Sequence, residues 1–130
     1  MFKTLLKLGF ALGLAVMMAE VERLPTKYNA KGAEPVVIEG LLAADTQLIP
    51  NKNGNVILRI IAPAEEIEVT AVTPNEVGGN PIADLTNKIA SGKVEIMGPF
   101  DPSVYNDAKG NLNIKVNKAG VKIEIIEVAY

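Results

Sequence analysis

Along most of the chain, apolar and polar residues alternate in short runs. "EIEVTAV" sets Ile67, Val69 and Ala71 on one side and Glu66, Glu68 and Thr70 on the other, the period of two expected of a half-buried strand. "KVEIM" repeats the pattern and predicts Val94 and Ile96 inward. "NLNIKV" places Leu112, Ile114 and Val116 opposite Asn113 and Lys115, and "GVKIEIIEV" places Val121, Ile123 and Ile125 opposite Lys122 and Glu124. "NVILRII" is almost continuously apolar, which predicts a strand buried on both faces. Pro35–Ile38 and Ile82–Thr86 are shorter candidates. β-branched residues dominate all of these runs, as a pleated surface favours.

Turn residues punctuate the runs. Asn53-Gly54 predicts a tight turn, Gly78-Gly79-Asn80-Pro81 a wider loop, and Lys109-Gly110-Asn111 a hairpin. Helical periodicity is missing between the strands, which disfavours parallel βαβ units. The pattern therefore predicts an all-β, antiparallel β-sandwich, or a small jelly-roll or Ig-like barrel, over residues 36–130.

The N-terminus reads differently. In "MFKTLLKLGFALGLAVMMAE", Lys3 and Lys7 precede an uncharged run from Leu8 to Ala19, and good helix formers dominate up to Pro25. The expected element is an apolar α-helix from Lys3 to Arg23, followed by a connector over residues 24–35 that is rich in Pro, Gly and Lys. Three readings of the helix compete. The first is a signal peptide, which fits the basic start and the length of the apolar core, although cleavage after Ala19 puts Met17 where a small residue is preferred. The second is a spanning helix, which falls short of the roughly 20 residues a bilayer requires. The third is a retained helix that packs against a partner or its own copies, with Leu5, Leu8, Leu12 and Val16 as candidate contact positions. A membrane enters the picture only if the segment is a signal or an anchor.

Composition narrows the chemistry. The 130 residues suit one domain with an appendage, and a body of that size can bury a core without disulfides. Cysteine and histidine are both absent, which removes thiolate nucleophiles, zinc–sulfur sites and the usual base near neutral pH. The two serines, Ser91 and Ser103, have no histidine to activate them. A net charge of −2, with lysines and acids interspersed and Arg23 and Arg59 the only arginines, leaves no basic stripe for nucleic acid.

Few constellations remain. Asp101, Asn106, Asp107, Asn111 and Asn113 offer oxygen ligands for calcium, but Gly110 is out of register with the D-x-[DN]-x-[DN]-G loop, and these are ordinary turn residues. Glu65, Glu66 and Glu68 lack an aromatic platform for a sugar and read as a solvated strand face. "GPFDPSVYND" is the least ordinary stretch. Gly98 and Pro99 end one strand, Pro102 stops Asp101 from extending it, and Phe100 and Tyr105 are placed to fold back over the core. Gly98, Pro99, Phe100, Asp101, Pro102 and Tyr105 thus form a structural corner. No catalytic, metal or cofactor-binding set is expected.

Taken in order, "LPTKYNA", "IPNKNGNVILRI", the "VTP-x-x-V-x-G-x-x-x-x-D-x-T" run from Val72 to Thr86, "GPFDPSVYND", "GNLNIKV" and "GVKIEIIEV" resemble a family of small virion proteins of tailed bacteriophages, described as minor head, decoration or other structural proteins. The resemblance covers Leu24 to Tyr130, and the first twenty residues depart from it. It implies a non-enzymatic capsid decoration or cement protein that binds the major capsid protein lattice, as a homo-oligomer with a trimer favoured. The place it implies is the capsid surface or the head–tail region of the virion. The alternative from another class is an exported cell-surface or filament-forming β-sandwich, with residues 1–19 as its signal peptide.

Overall fold

The computed structural model describes residues 19–128. The strands are β1 (Glu20–Glu22), β2 (Thr26–Tyr28), β3 (Val37–Ile38), β4 (Thr46–Pro50), β5 (Val56–Ile61), β6 (Ile67–Ala71), β7 (Glu76–Val77), β8 (Asn80–Pro81), β9 (Leu85–Ile89), β10 (Val94–Met97), β11 (Asn111–Val116) and β12 (Lys122–Val128). A single helical turn, α1 (Pro102–Tyr105), precedes β11.

Two mixed sheets enclose one core, the arrangement of a β-sandwich. Sheet A has the order β1-β4-β11-β6-β9, and sheet B the order β10-β5-β12-β2, with β3 also on β12. The inner faces carry the alternation read from the sequence: Ile67, Val69 and Ala71 of β6, Leu112, Ile114 and Val116 of β11, and Ile123 and Ile125 of β12 are all buried in one cluster. Val56, Leu58 and Ile60 of β5 meet them from sheet B, and Phe100 and Leu41 join from loops. Closing that many β-branched and aliphatic side chains off from water is the main force holding the sheets together, at about 1.5–3 kcal/mol for each fully buried side chain.

Several expectations change. The sheets are not purely antiparallel, since β1 runs parallel to β4 and β2 parallel to β12. Neither pair is joined by a hairpin, so no tight turn forces the antiparallel sense. The N-terminal helix does not reach Arg23: Glu20–Glu22 is extended, with Val21 facing inward beside Gln47 and the two glutamates outward. The expected connector contributes β2, so the sandwich begins at residue 20 rather than 36. Pro25 has no N–H to continue the first pairing, and there the chain steps from one sheet to the other. Residues 1–18, including Leu5, Leu8, Leu12 and Val16, lie outside the described residues.

β5 alternates buried and half-buried positions instead of being buried on both faces. β10 is inverted relative to the expectation: Val94 and Ile96 face solvent and Met97 faces the core. Pairing sets this, because Met97 lies opposite Leu58 and Val94 opposite Ile61, so the apolar rule loses to the register of β5. β4 was hidden in "TQLIP", where a buried glutamine and a terminal proline mask the strand pattern. The Ile82–Thr86 candidate moves to Leu85–Ile89, and Gly78-Gly79 forms the two-residue turn of the β7–β8 hairpin, both glycines at positive φ.

Polar pairs close the two open sides of the sandwich. Arg23 Nε donates to Gln47 Oε1 at 2.7 Å where β1 passes into β2. On the opposite side, where β9 turns into β10, Asn87 Nδ2 donates to Glu95 Oε1 at 2.9 Å. Glu95 turned toward the sandwich is also an edge-strand device, because an inward charge discourages a further strand from adding to β10.

Candidate functional site

The corner around residues 98–107 is held by asparagines. Asn51 Nδ2 donates to Phe100 O at 3.1 Å and to Asn106 Oδ1 at 2.8 Å, and Asn106 Nδ2 returns a bond to Asn51 O at 2.8 Å. Asn75 Nδ2 adds a bond to Asn106 O at 2.9 Å, which ties a third loop to the same point. Phe100, 1% exposed, lies in the core with the Tyr105 ring edge-on at 5.4 Å between centroids. Asp101 caps α1 by accepting from Ser103 N at 2.9 Å and Ser103 Oγ at 2.8 Å, and Pro102 occupies the first helical position. Gly98 has φ +107° and lies so close to Val56 O that a Cβ would sit 2.8 Å away. Gly98, Pro99, Phe100, Asp101, Pro102 and Tyr105 therefore occupy one packed corner, with Phe100 O held by Asn51 and the Asp101 carboxylate by Ser103.

The oxygen-rich run after it is equally committed. Asp107 Oδ1 accepts from Lys109 N at 2.8 Å and Asn111 N at 3.0 Å, and its Oδ2 accepts from Asn113 Nδ2 at 3.1 Å. Burial raises the Asp107 pKa, but the bonds from Asn111, Asn113 and Lys109 and the charge of Lys109 outweigh it and hold the carboxyl below its ordinary value. Asp101 is lowered by its two bonds from Ser103. This is turn chemistry, and among the described residues no group of three His, Cys, Asp or Glu is placed to hold a metal. Glu65 pairs with Lys118 at 3.1 Å, while Glu68 sits on an outward strand face opposite Lys88, so these two carboxylates are each turned to a lysine and not to one another.

The unusual surface is the outward face of sheet B, and the two outward faces differ sharply. Sheet A presents Glu20 and Glu22 of β1, Thr46 of β4, Asn111, Asn113 and Lys115 of β11, Glu68 and Thr70 of β6, and Thr86 and Lys88 of β9, with Leu48 the main apolar exception. Sheet B presents rows of apolar side chains. Val94 and Ile61 form one row with Lys122; Ile96, Arg59, Glu124 and Val37 the next; Ile57, Ile126 and Thr26 the third; and Val128 with Tyr28 the last. Ile96 is 66% exposed and Val94 44%. Four of the large hydrophobic residues exposed among the described residues, Tyr28, Val37, Val94 and Ile96, share this one face.

The charges within it are already matched. Arg59 Nη1 donates to Glu124 Oε2 at 2.9 Å across directly paired positions of β5 and β12, and Glu124 is only 7% exposed. Such a pair presents little net charge to whatever covers it, which lowers the cost of burial. Contiguous apolar surface rimmed by polar residues marks an interaction face.

Sequence reasoning missed this face because it placed Val94 and Ile96 in the core. A usable signal was present: "VILRII" and "KIEIIEV" carry more apolar residues than one inner face can use. No family model, curated protein or solved structure matches this chain.

Proposed function

We propose that this chain is a non-enzymatic structural protein that works by packing its apolar sheet face against neighbouring protein subunits, and that its setting is a virion, as a decoration or minor head protein on the capsid lattice. The observation that carries the reading is the contrast between the outward faces: polar on sheet A, Ile and Val around a neutralised ion pair on sheet B. An interface built this way resembles a domain core cut in half. The capsid setting is supported by the resemblance of the "VTP…D-x-T" and "GPFDPSVYND" segments to tailed-phage virion proteins. The experiment is co-sedimentation of the full chain with shells assembled from the major capsid protein of the same virion. The wild type and a sheet A control, Thr70→Lys, co-sediment, and Ile96→Lys falls at least tenfold in bound fraction. Equal binding by all three, or by none, contradicts the proposal.

One observation favours a second reading, an exported surface or filament subunit. β1 starts at Glu20, so a cut after Ala19 leaves every described strand in place. Mass determination on the native protein separates the two: a chain beginning near Glu20 supports export, and a longer one supports retention.

A further inference from the structure

Resting on the reading of sheet B as an interaction face, we propose that its first occupant is a second copy of this chain, packed face to face about a two-fold axis that runs along the strands between β5 and β12. Arg59 and Glu124 are side by side at the centre of the face, at directly opposed positions of adjacent strands. A face with one positive and one negative group placed this way is complementary to itself. Rotation about an axis parallel to the strands lays each Arg59 over Glu124 of the other copy, so four charges close into one neutral set. Rotation about an axis across the strands lays Arg59 over Arg59 and Glu124 over Glu124, which repel. Opposed like charges across an interface cost several kcal/mol, so the charges choose the axis.

The apolar rows agree with that choice. The same rotation lays β10 over the β2 and β3 side of the other copy, and Ile96 then comes over Val37, since both lie in the row of the ion pair. These two are among the exposed hydrophobics, so the contact covers what is most in need of cover. Ile57 comes over Ile126 in the next row. Lys122, at the corner, is exposed and stands 4.0 Å from Glu39, so its stem can lie along the interface while its ammonium reaches the rim. β10, β5, β12, β2 and β3, with 4, 6, 7, 3 and 2 residues on strands about 4.8 Å apart, present about 350 Å² in projection. Side-chain relief raises the accessible area of the contact above this projection, toward the roughly 800 Å² per partner of a standard interface. The contact is isologous and closed, so it ends at two copies and does not propagate into a fibre. In the pair the two sheet B faces are spent on each other, so the neighbouring subunit that covers this face is the second copy and a capsid is met through the remaining surfaces. Two copies held together bind a shell by avidity, which breaking the pair removes.

The test is sedimentation velocity on the full chain across a concentration series. The wild type sediments as two copies, Ile96→Lys and Val94→Lys as one, and Thr70→Lys on sheet A as two, with thermal unfolding confirming that all variants are folded. Because the chain has no cysteine, Val37→Cys/Ile96→Cys supplies a geometric readout: oxidation yields covalent two-copy product, and either single variant yields far less. A wild type that sediments as one or three copies overturns the pairing, as does an Ile96→Lys variant that stays paired. Shell binding separates this failure from that of the virion reading. A single-copy wild type whose shell binding is lost in Ile96→Lys retains the virion reading and loses the pairing. A paired wild type that ignores shells keeps the pairing and loses the virion reading.

Discussion

Asn51 and Asn106 show how single side chains fix the shape of this molecule. Each gives its amide to the other's loop, so removing the Asn51 side chain leaves Phe100 O and Asn106 Oδ1 without their donor. Asn51→Ala is expected to cost about 2–3 kcal/mol, by urea unfolding, for that reason. Phe100→Ala should cost about 3–5 kcal/mol because it empties a site in the core. Asp107 supplies a pH signature. Its folded pKa is lowered, so its contribution is complete above the unfolded value near ~3.9 and is lost as pH falls through the lower folded value. The stability difference between wild type and Asp107→Asn should therefore be full at neutral pH and should shrink below pH of about 4. A difference that is constant down to strong acid contradicts the assignment of those hydrogen bonds to a carboxylate.

Elements differ in how firmly they are held. β5, β6, β11 and β12 line the core, whereas β1 and β2 add to sheet edges and bury no residue fully. Hydrogen exchange should show residues 20–28 losing protection well before β5 and β11, and uniform protection would contradict this ranking. The sequence was most legible where alternation coincided with the inner face, as in β6, β11 and the first part of β12. It misled at β10, where the same alternation is present but register with β5 reverses its sense. It was silent at β4, where Gln47 is buried against Arg23 and looks polar in any pattern. It could not show that β1 and β2 join parallel edges, because those pairings depend on partners far along the chain.

At the scale of the whole molecule, the sandwich has one polar outward face and one apolar one. The corner at residues 98–107 was readable as structure because glycine, prolines and aromatics announce it locally. The apolar outward face was not, since it emerges only when β10, β5, β12, β2 and β3 are laid side by side. The central claim is that the outward side of sheet B is covered when this protein is assembled. Hydroxyl-radical footprinting of the full chain in its assembled form, against the Ile96→Lys variant, tests it most directly. Ile57, Ile61 and Tyr28 should be shielded in the wild type and label several-fold faster in the variant, while Leu48 on sheet A labels equally in both. Equal labelling of the sheet B residues in the two proteins would contradict it.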